Sequence, residues 1–391
     1  MSDAPHLELQ QTSSRSDTIL ARYDFSRPIH VFTKGIRTTN VRISKPGTWS
    51  DPTVRIEALV TSISTTLHNR IHATSTVNER GEFVFSISIN WSIWDLGMTS
   101  AELSISMPAT IEDCVHPGIC VDVPCGSIGA TLLGNTRFRS LSLTTRHGPA
   151  HISDVAADEL KLTAHNGNIT VHDVSSDGLV EIVGMTAWMD IDDVRADSLV
   201  ASSTDAIISL KDIEARSVSA NTTNARIGLG NVKASNTLTA TTSNGGVMAE
   251  NVFANVCQVN TSGGDIEGCW HPARKLYLST SMAKIAAQIV LLNSGDKSDD
   301  DDSHSVEIVL NSSKGPIDVS LPASFCGGFS LETTGFYKSF VHTGQGPNRT
   351  LPVLHISKPD KKAGSIGDGS KRHSLRANTD EAPITVNFGN V

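Results

Sequence analysis

Aromatic residues are scarce, at 5% of the 391 residues, and no stretch gathers Lys and Arg into a basic stripe. With a formal net charge of -9, the chain lacks the electrostatic footprint of a duplex nucleic-acid binder, and no nucleic-acid partner is expected. No run of about 18 apolar residues occurs, so no membrane-spanning helix is expected. The six cysteines, Cys114, Cys120, Cys125, Cys257, Cys269 and Cys326, form no CxxC pair, which excludes a zinc ribbon. Cys114 to Cys125 are close enough in sequence for one disulfide, but free thiols in a reduced interior are the preferred reading. A phosphate-binding glycine loop, a nucleophile elbow and an HExxH pair are all missing. Residues 1–25 lack an apolar core of signal-peptide type and the C-terminus lacks a lipidation pattern, so a cytoplasmic location is favoured over non-classical secretion. Helical periodicity is weak throughout.

What is present is alternation. Segments such as TVRIEALVTSIS and GEFVFSISINW place apolar and polar residues at period 2, with β-branched residues between turn formers. Abundant Ser, Thr and small apolar residues suit a thin stacked β core. The expected organisation is a disordered tail over 1–28, an N-terminal β cap over 29–107 and a repeat domain over 108–345 interrupted by an acidic loop at 295–305. A flexible linker over 346–383 and a terminal strand over 384–391 complete it.

From residue 138 the chain repeats itself. Asp154, Asp173, Asp193, Asp212, Asn231 and Asn251, each followed by Val or Ile, fall 19, 20, 19, 19 and 20 residues apart. Leu141, Leu160, Leu179, Leu199, Val218, Leu238, Cys257 and Leu276 open successive units. Pairs such as Ile169/Val171 and Ile227/Leu229 precede the Asp/Asn column. Two short strands and two turns use roughly 20 residues, and one such unit cannot bury its own apolar face. Stacked in register about 4.8 Å apart, the units can. The spacing therefore predicts an all-β, parallel β-solenoid of 19–20-residue coils with two long sheets, an N-terminal β cap and a narrow interior taking Ala201, Ala220, Ala240 and Ala249.

The repeat L-x-L-x-T-x-x-G-x-I-x-(V/L)-x-(D/N)-V, with ELSISMPATI near 102–111 and KGPIDVSLPASFCGGFSLETT at 314–334, resembles the "putative-adhesin" β-solenoid family of bacterial and fungal proteins. The resemblance covers roughly residues 100–340. It implies an all-β solenoid and a surface-adhesion role, and it supplies no catalytic residues.

Several constellations compete with structural readings. In NGNITVHDV, residues 166–174, His172 lies beside Asp173 as in a catalytic pair, but the residue before the column varies freely: Ser153, Asp192, Lys211, Gly230, Glu250. The Asp/Asn column itself suits either turns or a cation site, with turns preferred. His147, His151, His165 and His172 fall in different columns, against a shared metal. Asp299–Asp302 reads as a solvated loop. Trp91, Trp94, Trp188 and Trp270 are candidate sugar platforms, though a strand Trp more often packs inside. Six N-x-S/T sequons, at Asn90, Asn168, Asn221, Asn260, Asn311 and Asn348, carry little weight in so Asn-, Ser- and Thr-rich a chain.

No catalytic, cofactor-binding or metal residue is therefore assigned, and no cofactor is expected. The leading function is a non-enzymatic interaction or scaffold protein, adhesin-like, with a protein or glycan surface as partner. The alternative is a carbohydrate-active lyase or hydrolase working from the Asp column of a parallel β-helix. A third is a cytosolic protein with a regulatory tail at 358–382.

Overall fold

The computed structural model describes residues 6–13, 16–24, 26–34, 36, 38–44, 53–62, 71–89, 99–107, 115–131, 136–186, 188–291, 305–334, 337–343, 352–367 and 373–389. All regular structure among them is β-strand. The chain is a parallel β-solenoid that divides into two compact units, Met1–Val200 and Ala201–Val391.

One coil of the first unit shows how sequence becomes structure. Residues 160–164 form a first run, 165–168 a turn, 169–172 a second run, and 174–176 a third run beyond Asp173. Leu160, Leu162, Ala164, Ile169, Val171 and Val174 all point inward and are buried. Fully burying one Val, Leu or Ile contributes about 1.5–3 kcal/mol, and only the neighbouring coils can cover these faces. Leu160 stands between Leu141 and Val180, and Ile169 between Ala150 and Met189, in parallel register. Each coil thus contributes three ladder segments rather than the two expected, because the strand Ile169–Ser176 passes through Asp173 and bends there. Leu179 is also displaced from its expected inward place. It is 39% exposed, and Val180 takes the core position because this coil is one residue longer.

The first unit ends in an order the repeat does not suggest. Strand Ile29–Lys34 lies between Ile119–Cys125 and Phe83–Ile89, and Thr38–Ser44 lies between Ile128–Thr131 and Thr99–Ser106, all parallel. Residues 29–44 are therefore the penultimate coil in space, and 83–106 the outer one. Antiparallel strands close this end: Thr53–Ser62 on Thr99–Ser106, and Ile71–Val77 on Phe83–Ile89. The segment expected as a disordered tail carries strands His6–Ser13 and Ser16–Asp24, the latter antiparallel to Thr53–Ser62. Its alternating Ile19, Ala21 and Tyr23 are buried, and burial drives the Tyr23 phenol pKa upward.

In the second unit, Ile208, Ile227, Val247 and Ile266 stack in one column, and Val218, Leu238, Cys257 and Leu276 in another. Ala201, Ala220, Ala240 and Ala249 are buried, as the narrow interior requires. Here too the end is interleaved. Strand His373–Thr379 pairs in parallel with Glu307–Ser312 on one side and Gly327–Thr333 on the other. Ile384–Phe388 does the same between Ile317–Leu321 and Ser339–Thr343. The last strand is thus inserted between coils instead of covering a sheet end. The expected linker over 346–383 also holds strands Val353–Ser357 and Lys361–Ile366, and Leu375 and Ala377 are core residues. Its high charge hid the short apolar alternation. The acidic loop, save Ser305, lies outside the described residues.

Candidate functional site

The six column residues share one backbone conformation. Asp154, Asp173, Asp193, Asp212, Asn231 and Asn251 have φ of 53, 51, 49, 49, 52 and 55°, and among the described residues they are the non-glycine positions with positive φ. Asp and Asn tolerate this left-handed region because their short polar side chains bond locally. At the first corners the ladder is left for one residue: Ser153 pairs His172 and Val155 pairs Val174, with Asp154 and Asp173 outside the pairing. Asn231 Nδ2 donates to Asp212 Oδ1 at 2.8 Å, and Lys211 Nζ lies 3.6 Å from Asp212 Oδ2. The carboxylates that recur are corner formers. Among the described residues, no group of three or more His, Cys, Asp or Glu side chains is placed to hold a metal ion.

His172 stands in the next column, between Ser153 and Asp192. Its Nδ1 lies 3.5 Å from Asp192 Oδ2 in the following coil, and its side chain is 55% exposed. His151 stands opposite Thr170, whereas His147 Nδ1 meets Asn166 Nδ2 at 3.0 Å. Trp188 is 57% exposed, while Trp270 is fully buried. Trp91 and Trp94 lie outside the described residues, as does Cys114. The other five cysteines are free thiols.

Sequence reading missed a Cys–His pair. Cys269 Sγ lies 3.6 Å from His271 Nε2, and Phe253 stacks on the imidazole at 4.1 Å. Their i, i+2 spacing on one strand face was the available signal. Burial raises the thiol pKa and lowers the imidazole pKa, the reverse of the shifts that activate a thiolate–imidazolium nucleophile.

Also missed was a buried hydroxyl column. Thr242 Oγ1 donates to the Ala225 carbonyl at 3.0 Å and accepts from the Gly245 amide at 3.1 Å. Thr261 repeats this with the Gly245 carbonyl (2.9 Å) and the Gly264 amide (3.1 Å), and Ser312 with the Ala283 carbonyl (3.1 Å) and the Gly315 amide (2.9 Å). Each hydroxyl closes its own turn and ties it to the preceding coil. The phrases TSNG, TSGG and SSKG were the signal. The same buried hydroxyl position accounts for three sequons. Asn221, Asn260 and Asn311 belong to one outward column, each just before a buried Thr222, Thr261 or Ser312.

The first unit holds a groove of about 730 Å³ on the outer face of its end sheet. One cross-strand row runs Glu57, Ser104, Arg42, Gly129, His151. Beside it run Leu59, Glu102 and Asn40, with Ser127 Oγ donating to Asn40 Oδ1 at 2.8 Å. A Cβ on Gly129 would meet only the Val41 carbonyl, at 3.9 Å, so the row has a gap between Arg42 and His151. Long-range strand pairing assembles this groove, and no local motif announced it.

The Toastrack DUF4097 family matches residues 96–332. A solved "putative adhesin" from Bacteroides fragilis is similar at 12% identity, with a TM-score of 0.38, over 64% of this chain and 96% of that one. A solved "putative cell adhesion protein" from Clostridium sporogenes is similar at 9% identity, with a TM-score of 0.22, over 98% and 99% of the two chains. No curated protein matches. With the family's pattern spanning well over half its length, the chain belongs to the Toastrack DUF4097 family.

Proposed function

We propose that this β-solenoid is a non-enzymatic interaction or scaffold protein, adhesin-like in kind, presenting its ladder faces to a protein or glycan surface. The observation that carries this reading is the use made of the recurring carboxylates. Asp154, Asp173, Asp193 and Asp212 sit at left-handed corners and follow the coil period. A lyase or hydrolase needs carboxylates that converge on one bond with a basic partner, whereas an even ladder offers the same group once per coil. Rigid in-register faces suit repeated weak contacts with an extended partner.

The test pairs binding with turnover. Purified protein is applied to glycan and protein arrays and incubated with a polysaccharide panel, with new chain ends measured. Saturable binding without turnover supports the reading. Turnover that Asp173→Asn or Asp193→Asn abolishes overturns it in favour of the carbohydrate-active alternative. Asn is chosen because Asn231 and Asn251 hold the same corner, so the fold survives the change.

A further inference from the structure

We infer that the groove on the first unit is a binding site for a short zwitterionic peptide, about three residues long, held by its two charged ends. The inference rests on reading the chain as a binding protein and adds a ligand class and a location. It begins with unpaired charge. Some outward charges in this unit pair between coils: Lys161 Nζ with Glu181 Oε2 at 2.7 Å, Arg137 with Asp158 at 2.7 Å and with Asp177. In the groove, Arg42, Glu102 and His151 are all exposed, yet none has an ion pair or side-chain hydrogen bond among the described residues. Glu57 lies 3.9 Å from Arg55, its one ion pair among the described residues. Glu102 and Arg42 are on adjacent strands, one diagonal step apart in register, and still do not pair.

The charges are also sorted by position. Both carboxylates belong to the strands Thr53–Ser62 and Thr99–Ser106. Arg42 and His151 flank the bare backbone of Gly129. A ligand carboxylate laid over Gly129 lies within reach of a guanidinium that can hold it bidentately and of an imidazole N–H. An ammonium at the other end meets Glu102 and Glu57. Gly129 is two strand positions from Glu102, roughly 10 Å at about 4.8 Å per strand. An extended chain spans about 3.3–3.6 Å per residue, so three residues cover that distance. The cavity volume falls in the usual range for small-ligand sites, about 300–1,000 Å³. The exposed Leu59 beside Glu102 offers an apolar contact to the peptide.

The test is calorimetric titration of the full chain with triglycine, N-acetyl-triglycine, triglycine amide and the neutral sugar maltotriose. Triglycine is expected to bind saturably and at least tenfold more tightly than either end-blocked form or the sugar. Arg42→Ala is expected to weaken it at least tenfold. Gly129→Val, which fills the gap while keeping every charge and has open space for its Cβ, is expected to do the same. Circular dichroism confirms that both variants fold. No saturable binding, equal binding of the blocked peptides or of maltotriose, or unchanged affinity in a folded Arg42→Ala protein overturns the proposal. If the calorimetry fails while array binding persists, the peptide site falls and the scaffold reading stands, so the two failures are told apart.

Discussion

His172 Nδ1 lies 3.5 Å from Asp192 Oδ2, a carboxylate 20 residues away, rather than being paired with its sequence neighbour Asp173. The contact crosses from one coil to the next along a column of outward residues. Asp173 has a separate task at the corner. The adjacency that suggests a catalytic pair is thus resolved into a surface contact and a turn.

The exposure of this pair limits its worth. Exposed ion pairs contribute about 0–1 kcal/mol. A double-mutant cycle with His172→Ala and Asp192→Ala is expected to give a coupling below about 1 kcal/mol in urea denaturation. A much larger coupling would contradict a solvent-screened contact.

The corners should be far more demanding. Holding an ordinary L-residue in the left-handed region costs roughly 1–2 kcal/mol. Asp173→Val is therefore expected to lose about that much stability. Asp173→Gly and Asp173→Asn should remain within about 0.5 kcal/mol of the parent. Equal losses for all three would point to the carboxylate itself and not to the backbone.

The hydroxyl column predicts a polar penalty inside the core. Thr261→Val keeps the shape but strands the Gly245 carbonyl and the Gly264 amide. An unsatisfied buried group costs about 1–3 kcal/mol. Thr261→Ser keeps both bonds and should lose less. Thermal unfolding of the two variants side by side checks the order.

Acid should destabilise the first unit through His116. This side chain is fully buried, accepts a hydrogen bond from the Gly118 amide at 3.0 Å and packs on Phe138. Burial lowers its pKa from 6.5 to about 4. Between these values the unfolded chain binds the proton and the folded chain does not. Stability is therefore full above pH 6.5 and falls as pH drops toward 4, by on the order of 3 kcal/mol, with no further loss from this group below that. His271 shifts in the same direction. His116→Gln should flatten the slope of stability against pH in this window, and an unchanged slope would assign it to other groups.

A last prediction concerns close stacking at the turns. A Cβ on Gly167 would come within 1.8 Å of the Gly148 carbonyl oxygen of the preceding coil. Gly167→Ala is expected to cost about 2–4 kcal/mol or to split the stack locally, because the obstacle is backbone and cannot rotate away. Amide hydrogen exchange around 145–150 would report the opening.

The sequence by itself determined the coil. Period-2 alternation and a 19–20-residue spacing depend only on residues near one another in the chain, so Ile169, Val171 and Val174 could be placed inward without a partner in view. The left-handed corner was legible for the same reason, since the backbone preference of Asp or Asn is local. Tertiary structure decided everything that depends on which distant strands meet. Residues 29–44 lie between coils formed by 83–106 and 119–131, and 373–388 slip between coils that precede them in the chain. Such pairings are chosen by which exposed ladder edge remains to be covered, and no local period encodes that choice. The groove follows from them. Glu57, Glu102, Arg42 and His151 are spread over more than 100 residues of sequence and share one sheet face only because five strands align there out of chain order.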